Sequence, residues 1–258
     1  MNKFNLVQTA VLAGLIAGLS GTASAAEVGT WNGWSTGVYI GDAYGKSKLS
    51  TGVNASDYFT ASVVDGAGAV EGAGSGSRSS NNFLGGVSIG YDKQFGNVLV
   101  GGEFDYTNFN RDVSQTTAAY YPCCVSSEFG FTNKVSVSSD WLMTARTRVG
   151  YVNGNSLTYL TGGLAATDLT VKHEWVDSYG ANAQSSRSNL KLGWTLGVGY
   201  EHLLGNNWSI KGEYLYANFG SFSSQPGPLM LGTTRYGEME GRGDMSVQML
   251  RVGLNKRW

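Results

Sequence analysis

Eight stretches of this sequence alternate apolar with polar or small residues, and this period of two constrains the fold more than any other feature. In the run 192–200, Leu, Trp, Leu, Val and Tyr alternate with Gly and Thr. None of the stretches has helical spacing. Successive residues of a strand point to opposite faces, so each stretch predicts a strand with one apolar face. The stretches are 34–41, 83–95, 98–106, 140–151, 156–169, 191–201, 208–216 and 250–258.

The connections between these stretches alternate in length. Three are short and rich in Gly and Asn (96–97, 153–155 and 205–207), which tolerate the positive φ of tight hairpins. Four are long: 46–81, 110–137, 170–188 and 220–244. An even number of strands with short turns at one end and long loops at the other is the plan of a transmembrane β-barrel.

The sequence therefore predicts an all-β fold, an eight-stranded antiparallel transmembrane β-barrel with four long extracellular loops and short periplasmic turns. Both termini are then periplasmic. Ten strands remain an alternative, because the first long connection has 36 residues. A soluble antiparallel sandwich is the rival interpretation, and it would place the apolar face inside and the charges in water. The alternating loop lengths and the aromatic residues near strand ends favour the barrel.

The first 25 residues have the parts of a secretory signal. Lys3 gives a positive start, an apolar run extends from Leu6 to Leu19, and Ala23-Ser24-Ala25 fits signal peptidase. Cleavage is expected between Ala25 and Ala26, which leaves 26–258 as the barrel domain. No later apolar run reaches the length of a membrane helix. The 18 Lys and Arg against 19 Asp and Glu give no basic excess that would indicate nucleic acid.

The charged residues of the strands share the face opposite the apolar one. They carry both signs in nearly equal number: Glu103, Asp105, Arg146, Arg148, Glu201, Lys211, Glu213 and Arg251. Paired carboxylates can serve acid–base catalysis. The interior of an eight-stranded barrel is just wide enough for side chains to fill, which favours an interior network of ion pairs over a catalytic site. We therefore predict that the protein is not an enzyme. No metal is predicted either, because one cysteine pair without paired His falls short of the four Cys or His ligands usual for zinc.

Cysteine and histidine are the other residue types in this sequence with candidate chemistry. Cys123 and Cys124 are adjacent in a long connection, where a vicinal disulfide would be strained because neighbouring Cα atoms lie only ~3.8 Å apart. A vicinal disulfide and free or intermolecular thiols both remain open. His173, in the third long connection, is expected to be a solvated loop residue, with a haem-ligand role as the alternative. No cofactor is predicted.

The segment 193–201 followed by 207–216 resembles the small outer-membrane β-barrel proteins of alphaproteobacteria, the group that contains major surface antigens and some haemin-binding proteins. Residues 34–44, 102–106 and 141–165 extend the resemblance over most of the chain after residue 25. It implies an eight-stranded barrel in the cell outer membrane without enzymatic activity. It also implies that the C-terminal segment with Arg251, Gly253 and Trp258 is recognised by the outer-membrane assembly machinery.

The functional hypothesis is a non-enzymatic integral outer-membrane protein, a structural and surface-exposed component of the Gram-negative envelope. Its expected partners are outer-membrane lipid, lipopolysaccharide and the assembly machinery, with no nucleic acid. One alternative is a barrel whose long loops bind a ligand such as haemin or a host surface. The second alternative is a small pore.

Overall fold

The computed structural model describes residues 31–59, 66–122 and 129–258. These residues form nine strands and two short helices. In chain order they are β1 Gly33–Asn54, α1 Ser56–Phe59, α2 Gly66–Gly74, β2 Gly76–Phe95, β3 Val98–Tyr120, β4 Gly130–Asn153, β5 Ser156–Asp177, β6 Asn182–Gly205, β7 Trp208–Ser223, β8 Gly227–Leu231 and β9 Thr234–Arg257. Neither described helix is long and apolar enough to cross a membrane.

Eight of the strands form a closed antiparallel ring. The order is β1-β2-β3-β4-β5-β6-β7-β9, and β9 pairs back with β1. The closing register joins Ser35 to Arg257 and continues to Asn54 opposite Glu238. The short strand β8 pairs with β9 and β6 at one rim and is not part of the ring. The predicted eight-stranded architecture is confirmed, and within the described residues the alternative of ten strands is wrong.

The three short turns lie at one end of the ring, here named the turn end. They occupy 96–97, 154–155 and 206–207, and Gly96 and Gly154 have φ of +60° and +59°. Asn206 and Asn207 have φ of +50° and +63°, which Asn tolerates better than most residues. Trp34 and Trp258 exchange two backbone hydrogen bonds here, at 3.0 and 3.1 Å, so the described start and the C-terminus lie together. The opposite end is named the loop end.

The strands are much longer than the sequence predicted. Six ring strands have 22 to 24 residues, β2 has 20 and β7 has 16, whereas about 10 residues suffice to cross a bilayer. Most of the residues assigned to the four long connections continue β1 to β7 and β9 towards the loop end. That part of the prediction is corrected: described connections such as 178–181 are short.

The hydrophobic pattern of the wall reverses along the barrel, which explains the error. Near the turn end the outward residues are apolar, as for Leu160 and Leu164 of β5. Nearer the loop end the same strand turns Leu169 and Val171 inward, and the exposed Lys172 points outward. The alternation of apolar and polar residues continues along the strand, but the apolar residues change from the outward to the inward face. A pattern with one continuous apolar face therefore covers only half of each strand.

Buried side chains fill the lumen in layers. An apolar cluster of Trp31, Leu99, Val152, Leu157, Tyr159 and Leu203 closes the turn end. Charged residues follow, and above them lies an apolar core that includes Leu49, Val137, Val171, Phe219 and Val247. The cap, formed by α1, α2 and β8, covers the loop end and buries Phe59, Val70 and Leu229 against Trp175. An eight-stranded ring has room for such a packed interior and little more.

At the loop end the ring divides into two four-stranded sheets. Pairing between β2 and β3 stops at Gly85 opposite Asn108, and pairing between β6 and β7 stops at Trp194 opposite Asn218. Beyond these points β3-β4-β5-β6 face β2-β1-β9-β7 across the apolar core. Sandwich-like packing with apolar residues inside therefore occurs in the upper half of the molecule, above a true barrel.

Candidate functional site

The charged side chains predicted to face inward converge in the turn-end half of the barrel. Antiparallel register sets opposite charges directly across from each other, with Glu103 beside Arg146 and Glu213 beside Arg251. Glu201 likewise lies opposite Lys211. Because alternate residues share a face, each pair points into the lumen together. All eight side chains are buried, at 7% exposure or less.

Arg146 is the centre of the network. Its Nη2 lies 2.5 Å from Glu103 Oε1 and 2.8 Å from Asp105 Oδ2, and its Nη1 lies 2.9 Å from Glu213 Oε1. Its Nε donates to Thr144 Oγ1 at 2.9 Å. The planar guanidinium fork can meet several carboxylates at once, which an ammonium group cannot do in the same geometry.

Arg251 and Lys211 extend the same cluster. Arg251 donates from Nε to Glu213 Oε2 at 2.7 Å and from both Nη atoms to Asp105 at 3.2 Å. Its guanidinium also lies 4.4 Å from the centre of the Tyr39 ring. Lys211 Nζ lies 2.7 Å from Glu103 Oε2. Cation–ring contacts of this kind add to the ion pairs when both groups are shielded from water.

A second cluster lies nearer the turn end and includes two residues absent from the sequence-based set. Arg148 donates from Nε to Asp92 Oδ1 at 2.7 Å and from Nη1 to Glu201 Oε2 at 3.1 Å. Arg257 lies 2.5 Å from Asp92 through Nη2. Strand parity could have found both residues, because Asp92 shares the face of Ser88 and Gly90, and Arg257 that of Arg251.

The network is balanced in sign, and every carboxylate oxygen in it accepts a hydrogen bond, whereas Arg257 Nε has no partner among the described residues. Five carboxylates and five cations contribute: Asp92, Glu103, Asp105, Glu201 and Glu213, with Arg146, Arg148, Lys211, Arg251 and Arg257. Ser209 and Asn255 donate further bonds to Glu201 Oε1 at 2.5 and 2.9 Å. Carboxylates with every oxygen engaged have little capacity to accept a proton from a substrate. This geometry suits a structural plug better than acid–base catalysis.

His173 lies in a different environment from the one predicted. It is fully buried on β5, between the inward Val171 and Trp175, and its Nε2 lies 2.8 Å from Asn133 Oδ1. Burial lowers the pKa of this imidazole to about 4. The expectation of a solvated loop residue is wrong, because β5 continues past residue 173 to Asp177.

The cap holds a second polar cluster above His173. Tyr121 donates to Asp177 Oδ2 at 3.4 Å, and Tyr58 donates to the same oxygen. Asp177 Oδ1 accepts from the backbone N–H groups of Tyr179 and Ala181 at 3.0 and 2.9 Å. Burial raises the pKa of the Tyr58 and Tyr121 hydroxyls, and the Asp177 charge raises it further. The members of this cluster are distant in the chain, so no local sequence pattern indicates it.

The remaining predicted residues divide between described and undescribed parts of the chain. Ala25, Ala26, Cys123 and Cys124 lie outside the described residues. In the C-terminal segment, Gly253 faces inward beside Arg251, and Trp258 is 61% exposed at the turn end. Lys256 shares the outward face, where its Nζ donates to Asn206 O at 2.6 Å and lies 5.2 Å from the Trp208 ring centre. Among the described residues, no three His, Cys, Asp or Glu side chains are grouped to hold a metal.

Fold and interior together define a class: a closed eight-stranded antiparallel β-barrel with an apolar outer band and a filled, charge-balanced lumen. Residues 13–257 match the model of the outer membrane protein beta-barrel domain, and the chain belongs to this family. The resemblance inferred from the sequence is thereby confirmed, and the protein is one of the cell outer membrane.

The names of two relatives agree with this assignment. The 31 kDa outer-membrane immunogenic protein of Brucella melitensis biotype 1 is 30% identical over 211 residues, covering 77% of this chain and 75% of that protein. The 25 kDa outer-membrane immunogenic protein of Brucella abortus biovar 1 is 24% identical over 229 residues, covering 89% and 80%. Neither name denotes an enzyme. Neisserial surface protein A covers 86% of this chain and 97% of its own, with 12% identity and a TM-score of 0.36.

Proposed function

We propose that this protein is a non-enzymatic, surface-exposed structural component of the outer membrane. The turn end and both termini lie in the periplasm, and the loop end projects from the cell. The observation that carries this proposal is that the hydrophobic pattern of the wall reverses along the barrel. Outward residues are apolar near the turn end, whereas Lys46, Lys134 and Lys172 point outward nearer the loop end. A wall with charged outward residues and an apolar core belongs in water. The names of the two Brucella relatives, both immunogenic proteins, support surface exposure.

Two glycines provide a matched test of the orientation. Gly154 in a turn-end hairpin and Gly232 between β8 and β9 have the same φ of +59°, and a Cβ at either would meet nothing within 4 Å. A short epitope inserted after each should leave the barrel intact. We expect antibody to label the Gly232 insertion on intact cells and the Gly154 insertion only after the outer membrane is permeabilised. The reverse pattern would overturn the proposed orientation.

The filled lumen supports this role over a small pore. Apolar layers lie at both ends of the ion-pair network, and the cap covers the loop end. Purified protein in planar lipid bilayers should give no steady conductance. Discrete, reproducible channel steps would restore the pore as a candidate.

The geometry of His173 gives no support to haemin capture at the surface. Its ring is buried beneath the cap and its Nε2 bonds to Asn133. Titration of the folded protein with haemin should give the same spectrum for the wild type and for His173→Ala. A Soret shift that is present in the wild type and lost in the variant would favour the ligand-binding alternative.

A further inference from the structure

The wall of the upper barrel has two seams, and they differ in how they are closed. Between β2 and β3 the gap is filled: Asn82 Nδ2 donates to Asn110 O at 2.7 Å, and Gln115 Nε2 reaches the Ala73 and Ser75 carbonyls of the α2 segment. Arg111 Nη2 also donates across to Ser47 Oγ at 3.1 Å. This seam is therefore sealed by side chains of the protein itself.

The seam between β6 and β7 is called open because the backbone ladder between these strands ends at Trp194, although Ser185 Oγ and Ser224 Oγ bond at 2.8 Å near the loop end. β7 bulges between Asn218 and Gly220 and then follows β9 alone, whereas Asn182 and Ala183 of β6 pair with β8. Between these points, residues 184–193 pair with β5 on one side and with no described strand on the other. A cavity of about 590 Å³ opens here, a size typical of small-molecule sites.

The lining of this seam combines cations with apolar floor residues. By strand parity Arg187, Asn189 and Lys191 occupy inward positions, yet Arg187 and Asn189 are exposed and Lys191 is half-buried, because the wall beside them is missing. Lys191 Nζ donates to Ser221 O at 2.5 Å. Leu169 and Val171 of β5 and Phe222 of β7 complete the lining.

Charge at the seam is not neutralised locally. In the part of the chain that the structure describes, neither Arg187 nor Lys191 forms an ion pair with a carboxylate, unlike Lys134, which pairs with Glu174 at 3.3 Å. Asp168, opposite Leu190 in the β5–β6 register, accepts instead from the backbone N–H groups of Asp140 and Trp141 at 3.0 and 3.3 Å. Arg187 lies against the Asn189 side chain and Lys191 bonds to Ser221 O, but no described carboxylate neutralises either cation, so both can still attract an anion.

The position of the seam along the barrel axis identifies the source of that anion. Leu190 and Leu192, 64% and 66% exposed, are the outward residues at this level, and Ser186 and Ser188 follow towards the loop end. The seam thus lies where the apolar outer band ends, at the level of lipid headgroups. We propose that the seam between β6 and β7 is a binding site for lipid A of the surrounding leaflet, with a phosphate at Arg187 and Lys191 and an acyl chain entering towards Leu169, Val171 and Phe222.

The proposal rests on the proposed orientation, since lipid A belongs to the outer leaflet, but its test does not require a membrane. Folded protein in detergent is titrated with lipid A, and bound lipid is counted by native mass spectrometry. We expect Arg187→Gln/Lys191→Gln to weaken binding at least tenfold. Lipid A stripped of its phosphates should bind wild type and variant equally weakly. Unboiled gel mobility confirms that each variant is folded.

The control variant Lys46→Gln/Lys48→Gln removes two exposed, outward-facing cations of β1 and should bind as the wild type does. An equal loss of lipid A binding in the control variant would mean that any basic surface attracts the lipid, and it would overturn the site. Unchanged binding in Arg187→Gln/Lys191→Gln would also overturn it, as would equally tight binding of dephosphorylated lipid A or phosphatidylglycerol. An inverted barrel would fail the epitope test and still bind lipid A in detergent, so the two failures are distinguishable.

A second readout places the lipid in the membrane. A photoreactive benzoylphenylalanine at Asn189, in the open seam, should cross-link to lipopolysaccharide in isolated outer membranes. The same group at Asn110, in the filled seam, should give a much weaker adduct. Equal cross-linking at both positions would contradict a site confined to the open seam.

Discussion

Arg146 is the residue on which the interior depends most, because three carboxylates lie within 3 Å of its guanidinium. Replacing Arg146 with Met removes the positive charge but keeps a chain of similar reach. Since uncompensated buried carboxylates remain, we expect a loss of about 3–5 kcal/mol in the free energy of unfolding. Urea titration of folded protein in lipid vesicles, followed by tryptophan fluorescence, measures it.

Lys134→Met is the matched control for Arg146→Met. Lys134 pairs with Glu174 at 3.3 Å, and both side chains are largely exposed, at 42% and 52%. Exposed pairs contribute about 0–1 kcal/mol, so this variant should be nearly neutral. A similar small effect for Arg146→Met would contradict the interpretation of the network as the plug of the barrel.

His173 should make the stability of the protein depend on pH. Its pKa is about 4 in the folded chain, below the 6.5 of a free imidazole. The unfolded chain therefore binds the proton first as the pH falls. The contribution of His173 to the free energy of unfolding is fully present above about pH 6.5 and decreases towards pH 4, by about 3 kcal/mol in total. Urea midpoints measured between pH 7.5 and 4.5 test this.

The substitution His173→Gln should flatten that part of the pH profile, because Gln keeps a donor for Asn133 and does not titrate. His202→Gln, at the only other histidine, is the control and should retain the wild-type slope. A wild-type profile that stays level down to pH 4.5 would contradict a neutral, buried His173.

At the scale of single strands, close backbone approach replaces side-chain packing at several glycines. A Cβ on Gly163 of β5 would lie 2.1 Å from Ala145 O and 2.7 Å from Arg146 Cα. Backbone atoms cannot move aside without disturbing the β4–β5 register. We expect Gly163→Ala to destabilise the barrel by about 1–3 kcal/mol, measured by the same urea titration.

Gly72 of α2 is the matched control for Gly163, since a Cβ there would meet nothing within 4 Å. Ala favours a helix over Gly, so Gly72→Ala should be neutral or stabilising by up to about 1 kcal/mol. A Gly163→Ala variant as stable as Gly72→Ala would contradict the close β4–β5 packing.

How far each strand extends could be predicted only in part. The short turns predicted at 96–97, 153–155 and 205–207 followed from Gly and Asn, and strand parity gave the inward Glu103, Arg146 and Arg251. The loop-end parts of the strands were missed because their apolar face switches from outside to inside where the outward residues change from apolar to polar. The open seam was missed for another reason: which strands cease to pair is a property of the bulge at Asn218 and of β8, and neither appears in a periodic pattern.

In the whole molecule, the side-chain pattern of each half matches a different solvent. Near the turn end the wall meets lipid with apolar side chains and encloses paired charges, and ring closure gives its backbone groups partners within the sheet, as lipid requires. Near the loop end the wall meets water with polar side chains and encloses an apolar core. In the proposed orientation one half anchors the molecule in the membrane and the other half is displayed at the cell surface. Buried side chains of the described residues fill the interior of both halves.

The measurement that tests this account most directly is gel mobility with and without boiling, on protein extracted from the outer-membrane fraction. A closed ring with buried, paired charges should resist detergent, so the unboiled protein should migrate faster than the boiled protein. Equal mobility, with the protein recovered from the periplasmic fraction, would contradict the membrane barrel and would place the charged face of every strand in water.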